Sequence, residues 1–320
     1  MQDVGKTGAG VDPLEGVADN LGNQRKLKFP GDQMADIPRL NKVIGALEAG
    51  KHAFTSFSPP DVASAVAFST APYDGVVFEM EHNPWDSCVL RDCLQYMLNR
   101  AQIAGSGSIA PATTPMVRVP PNGNEMAQWQ AKQALDLGVY GVIFPHISSV
   151  EEAYNAVAAC RYPRQKDKPL YEPAGIRGDG PGHAVRYWGL SQQEYYDRAD
   201  VWPLNPKGEI LTILMIEDTK GIASLDDILK NVPGVGCVLI GEGDLSQELG
   251  YPRQYTHPVV VEAMTEIVAT CTANNVPVGH PHVAAANVEW VLEQGYRFLM
   301  AAPERTYNGL NKGLELTGRK

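Results

Sequence analysis

A chain of 320 residues with 44% hydrophobic content can bury a full core, and an α/β barrel of this size can be one domain. Its 27 basic and 37 acidic residues leave a formal charge of −10 with no Lys/Arg-rich tract, which argues against duplex nucleic acid as a partner. No apolar run approaches the roughly 20 residues that span a bilayer, which argues against a membrane-embedded protein.

Residues 1–35 are polar and Gly-rich and lack the apolar stretch of a secretory signal, so they read as an N-terminal tail. Residues 36–320 read as a single (β/α)8 domain. The segment Ile37–Ala49 predicts a helix closing the barrel bottom. Strands are then expected at His52–Ser58, Gly75–Met80, Pro115–Val119, Tyr140–Pro145, Ile210–Glu217, Gly236–Gly241, Pro277–Gly279 and Arg297–Ala301. Helical patterns alternate with them at Asp61–Ser69, Ser87–Ala104, Asn124–Leu137, Val150–Ala159, Leu225–Asn231, Pro258–Asn274 and Ala284–Glu293. Ser149 and Ser224 are the expected N-caps of two of these. Eight strand–helix alternations are the pattern of a TIM barrel.

The long interval Arg161–Gly208, with AGIRGDGPGHAVRYW at 174–188, stands outside the repeat and is expected to be functional or partly structured. A C-terminal helix near Glu304–Leu316 either packs on the barrel or is exchanged with a neighbouring subunit. Five scattered cysteines without a C-x-x-C pair fit reduced thiols and a cytoplasmic setting, with Cys237 a small core residue.

In this fold the chemistry gathers at the C-terminal strand ends. Those positions supply Glu79, Glu81 and His82, then Arg118, His146, Glu217 with Asp218, and Glu242 with Asp244. Glu217 and Asp244, at the exits of neighbouring strands, suit a divalent cation such as Mg²⁺, with Mn²⁺ or Co²⁺ as substitutes. Strand alternation turns Asp218 and Glu81 away from the pocket. A Glu79 carboxylate on one ring nitrogen of His82 would leave the other as a base. Arg118, the one charge in PMVRVP, suits an anionic substrate oxygen. The turn GEGD (241–244) offers backbone N–H groups to a carboxylate, with Met215 facing the same site. His280 and His282 in GHPH lack a third ligand at convincing spacing for zinc.

The motifs VVFEMEH (76–82), PMVRVP (115–120), GVIFPHISSVEEA (141–153), PAGIRG (173–178), MIED (215–218) and LIGEGDLSQELG (239–250) occur in that order. The chain thereby resembles the class II pyruvate-dependent aldolases, the 2,4-dihydroxyhept-2-ene-1,7-dioate aldolase family, over roughly residues 36–316. Within that family it resembles the macrophomate-synthase type. The resemblance implies that Glu217 and Asp244 bind metal, His82 moves a proton and Arg118 holds the enolate oxygen. It also implies that the amides around Gly243 and Asp244 cradle the pyruvate carboxylate, and that the protein assembles as a homohexamer with exchanged C-terminal helices.

Three positions depart from the ordinary aldolase pattern. Glu79 replaces an expected Asp, Met215 an expected Gln, and His146 an apolar residue that many relatives carry. Tyr196, with Tyr195 or Tyr187 as alternatives, is the expected contact to a second substrate. The expected reaction is decarboxylation of oxaloacetate to a pyruvate enolate beside Mg²⁺, captured by a 2-pyrone to build a benzoate. The alternatives are a 2-keto-acid aldolase using pyruvate and an aldehyde, an oxaloacetate decarboxylase, a lyase for acyl-CoA esters, or a barrel that only binds a small acid.

Overall fold

A computed structural model describes residues 37–120, 128–301 and 308–319. The strands are β1 Ala53–Ser58, β2 Gly75–Glu79, β3 Thr114–Arg118, β4 Gly141–Phe144, β5 Val201–Trp202, β6 Ile210–Ile216, β7 Cys237–Ile240, β8 Val278–Val283 and β9 Phe298–Ala301. The helices run α1 Lys42–Glu48, α2 Val62–Phe68, α3 Ser87–Met97, α4 Arg100–Ser106, α5 Gln128–Leu137 and α6 Val150–Ala159. They continue with α7 Gly182–Trp188, α8 Gln192–Arg198, α9 Thr219–Asn231, α10 Glu242–Glu248, α11 Pro258–Ala273, α12 Val288–Glu293 and α13 Asn308–Leu316.

All strand pairings are parallel, and β1-β2-β3-β4-β6-β7-β8-β9 close into an eight-stranded ring. The seams are Ala53↔Phe298 between β1 and β9, and Gly141↔Leu211 between β4 and β6. The two-residue β5 pairs only with the first residues of β6, before β7 joins at Ile213. Val77, Met116, Ile143, Ile213, Leu239 and Met300 fill the barrel as one cluster, which Val43, Ile44 and Leu47 of α1 join. The predicted bottom-closing helix is therefore present, shortened to α1. Asn41 fixes it there: its side chain caps Ile44 N–H at 3.1 Å and donates to the Tyr140 and Glu209 carbonyls at 2.9 and 3.1 Å.

The eight expected barrel strands are all found, and two helical expectations and one expected cap need correction. Ser87–Ala104 breaks into α3 and α4, because Leu98 is extended and Asn99 caps Gln102 N–H at 3.0 Å. The helix expected from Leu225 begins six residues earlier at Thr219, so its N-cap is Asp218, not Ser224. Asp218 accepts from Gly221 N–H at 2.5 Å and satisfies an otherwise orphaned donor of the first turn. Ser149 does cap α6, through Glu152 N–H at 3.2 Å.

The 161–208 interval is structured by α7, α8 and β5. Its anchor is Arg161, fully buried, whose Nε donates to Asp200 at 2.7 Å and whose other nitrogens reach the Leu170 and Pro173 carbonyls at 2.6 Å each. Trp188 stacks on Tyr140 with centroids 4.4 Å apart, pinning α7 to the barrel wall. Within this chain α13 packs on β1: a side chain at Gly313 would collide with Phe54, so the glycine permits the close approach. The predicted tail 1–35, the first residues of the helix expected from Asn124 and the start of the C-terminal helix at Glu304 lie outside the described residues. Among the described residues no helix is long and apolar enough to cross a membrane.

Candidate active site

Glu217 follows the last residue of β6 and is 3% exposed. Its Oε1 accepts the His146 backbone N–H at 2.5 Å. Gly241, at the exit of β7, makes room for it: a Cβ there would stand 2.4 Å from Glu217 Cβ and Oε2. Three residues later Asp244 lies exposed in the first turn of α10. One donor atom from each of His146, Glu217 and Asp244 falls within 4.8 Å of the others. Burial pushes the Glu217 carboxyl up to about 7, with the Glu81 and Asp244 carboxylates adding to the rise against His146.

Arg118, the last residue of β3, lies 4.6 Å over the Phe57 ring. Glu79, its register partner on β2, receives Arg118 Nε at 2.6 Å. Arg118 Nη1 lies 2.9 Å from Glu81 Oε2 and 3.7 Å from the Met215 sulfur. Met215 thus belongs to the barrel core and touches the Arg118 guanidinium.

Glu81 and Glu79 exchange the places that strand alternation gives them. The Glu79 carboxylate accepts from the backbone N–H groups of Glu81 and His82, at 2.8 and 3.2 Å, and from Arg118, rather than orienting the His82 ring. Glu81, with a side chain 3% exposed, enters the pocket instead. It stands between His82 Nε2 at 3.6 Å and His146 Nε2 at 3.7 Å. The cause is local: β2 ends at Glu79, so residues 80–83 turn and the period of two no longer applies. Burial raises the Glu81 carboxyl, opposed first by Arg118. His82 itself is open, its side chain 66% exposed.

The donor set of two carboxylates and an imidazole fits a divalent ion. Four carboxylates gather here, Glu79 and Glu81 paired to the Arg118 guanidinium and Glu217 beside Glu81 and Asp244. A cation would relieve that excess of negative charge.

Tyr196 lies elsewhere. Its hydroxyl meets Asp179 at 2.5 Å and Gln192 at 3.0 Å, in a cleft of about 500 Å³ with Tyr162, Arg164 and Arg177. That cleft shares no lining residue with the acid cluster. Tyr195 is buried on Arg177 Nη2 at 2.7 Å, and Tyr187 packs near Tyr140. His280 and His282 do find a common acid that sequence spacing hid. Glu242 bonds His282 Nδ1 and lies 3.8 Å from His280 Nε2, beside an apolar cavity of about 470 Å³ with Tyr255 and Trp290.

Residues 53–304 match the HpcH/HpaI aldolase/citrate lyase family. A 2-dehydro-3,6-dideoxy-6-sulfogluconate aldolase of Pseudomonas putida is 30% identical over 242 residues, covering 76% of this chain and 82% of the relative. A crystal structure of an HpcH/HpaI aldolase/citrate lyase family protein from Burkholderia cenocepacia superposes with a TM-score of 0.66 at 26% identity, over 82% of this chain and 92% of the other. Macrophomate synthase shares the fold, with a TM-score of 0.59 at 24% identity over 87% and 85% of the two chains.

Proposed function

The chain belongs to the HpcH/HpaI aldolase/citrate lyase family, and we propose that it is a divalent-metal-dependent aldolase that makes or breaks the bond between a pyruvate unit and an aldehyde. The observation that carries this reading is the buried Glu217, gathered with His146 and Asp244 and joined through His146 and Glu81 to Arg118. Glu217 and Asp244 would hold the metal, which supplies Lewis-acid stabilisation of negative charge on the 2-oxygen of the keto acid.

Arg118 binds that same oxygen. Glu79 fixes the guanidinium so that no reorganisation is needed as charge develops. The amides of Gly243 and Asp244 receive the pyruvate carboxylate, and a Cβ at Gly243 would meet nothing within 4 Å, so this approach is open. In the cleavage direction a base takes the proton of the 4-hydroxyl, the C3–C4 bond breaks, and the electron pair passes to the enolate. A proton then returns to C3. His82 is the mobile proton carrier and Glu81, between the two histidines, its relay.

A second reading, oxaloacetate decarboxylation with capture by a 2-pyrone, is favoured by Met215, whose sulfur gives Arg118 a soft neighbour where an amide would order a polar substrate. The aldolase relatives favour the first reading. Both share one test: exchange of the pyruvate C3 protons in D2O, followed by NMR, with Mg²⁺ or Mn²⁺ and with EDTA. Metal-dependent exchange that Arg118→Ala abolishes supports the enolate site; exchange unaffected by EDTA and by the substitution overturns it. Adding oxaloacetate with and without a 5-acyl-2-pyrone then separates the two, since a new aromatic acid forms only under the second. Light scattering tests the homohexamer, which belongs to this proposal.

A further inference from the structure

We propose that His146 is a third protein ligand of the metal, so that the set is two carboxylates and one imidazole; this rests on the reading of Glu217 and Asp244 as ligands. Two donors on one ion with bonds of about 2.1 Å stand at most about 4.2 Å apart. His146 Nδ1 is 3.7 Å from Glu217 Oε1, inside that limit, and the three donors within 4.8 Å need only small rotations to close on an ion.

The two ring nitrogens face different partners. Nδ1 points to the Glu217 side, while Nε2 lies 3.7 Å from Glu81 Oε1. A ligating histidine ordinarily gives its second N–H to a carboxylate, which sets the tautomer and raises the basicity of the ligating nitrogen. Glu81 is placed for that role, its other oxygen being held 2.9 Å from Arg118 Nη1. The backbone supports the same assignment. His146 holds a left-handed φ of 57°, uncommon for a residue with a Cβ, and from there its N–H reaches Glu217 and its ring lies beside the same carboxylate. One residue thus binds Glu217 through its main chain and adds its own donor.

The chemical consequence is metal choice. Mg²⁺ prefers oxygen donors and retained water, whereas imidazole favours later first-row ions such as Co²⁺. The site should therefore prefer Co²⁺ and Mn²⁺ to Mg²⁺ more strongly than a two-carboxylate site would.

The test uses the full-length protein loaded with Mn²⁺ and examined by electron spin echo envelope modulation, with calorimetric titrations of Mg²⁺ and Co²⁺. His146→Asn and His146→Gly both tolerate the left-handed backbone and remove the imidazole. The wild type should show a directly bound nitrogen, and both variants should lose it. Co²⁺ affinity should fall about 10- to 100-fold in the variants, with Mg²⁺ affinity changed less than about threefold. A tightly bound Mn²⁺ without nitrogen coupling in the wild type, or unchanged Co²⁺ affinity in the folded variants, overturns the assignment. Metal affinity that survives Glu217→Gln and Asp244→Asn would instead overturn the site reading beneath it.

Discussion

Asp200 in the 161–208 interval and Glu217 at the exit of β6 are both buried carboxylates in opposite surroundings. Asp200 receives Arg161 at 2.7 Å, Arg164 at 2.5 Å and the Val201 N–H at 3.0 Å. Glu217 has one backbone N–H and an imidazole, and it faces two further carboxylates. The first arrangement is complete as it stands and holds a long excursion of chain in place. The second is short of positive charge, and a site short of charge is where a ligand belongs.

The sharpest way to break this contrast is to remove each partner in turn. Glu217→Gln should lower kcat/KM by at least about a thousandfold, as loss of charge stabilisation at a reacting centre does. The metal-free protein should at the same time melt no lower at pH 8, because a strained buried charge has gone. A clear fall in melting temperature would show that Glu217 is structural. Arg161→Leu should do the reverse: about 3 kcal/mol lost in urea unfolding, with turnover per folded molecule within about twofold of wild type. Loss of turnover without loss of stability would place Arg161 in the wrong class.

The pH dependence sharpens the contrast further. Glu217 holds its proton up to about 7 in the folded chain, whereas an ordinary carboxyl releases it near about 4.5. The folded state therefore binds the extra proton between these values, so metal-free stability falls as pH rises through that window and levels off above it. Metal competes with the same proton. Affinity should drop about tenfold for each pH unit below 7, and calorimetry showing constant affinity from pH 5.5 to 7 would refute the raised value.

Gly241→Ala is a subtler intrusion. A methyl 2.4 Å from Glu217 must displace that side chain, and metal affinity should weaken about tenfold while β7 stays paired. Normal affinity in this variant would mean that the Glu217 position is not critical. The smallest effect is expected from Tyr196→Phe, in the charge-balanced region: kcat/KM within about twofold for every aldehyde tried. A selective loss for one electrophile would restore Tyr196 as a substrate contact.

Much of this was legible in the residues. The eight barrel strands follow from short β-branched runs between turn signals, and Arg118, Glu217 and Asp244 from their positions at strand exits. Glu81 was not, because alternation holds only while the strand lasts and β2 stops at Glu79. The link from Glu242 to His280 and His282 was hidden because some 40 residues separate partners that the barrel brings together. The helices α7 and α8, seven residues each in a Gly- and Pro-rich stretch, have little intrinsic stability. They exist through tertiary contacts, such as Trp188 on Tyr140, that no local pattern announces.

The ring closes through two seams, β9 with β1 and β4 with β6, that join strands far apart in sequence, while every other barrel strand pairs with its sequential neighbour. The barrel is thus two arcs, β1–β4 and β6–β9, each assembled from successive crossovers, with loop-closure entropy concentrated where they meet. The candidate site is divided by the same line. Glu79, Glu81, Arg118 and His146 come from the first arc, Glu217 and Asp244 from the second. Neither arc holds the full donor set alone, so an ion bridging His146 and Glu217 would act across a seam and couple metal capture to the last step of folding.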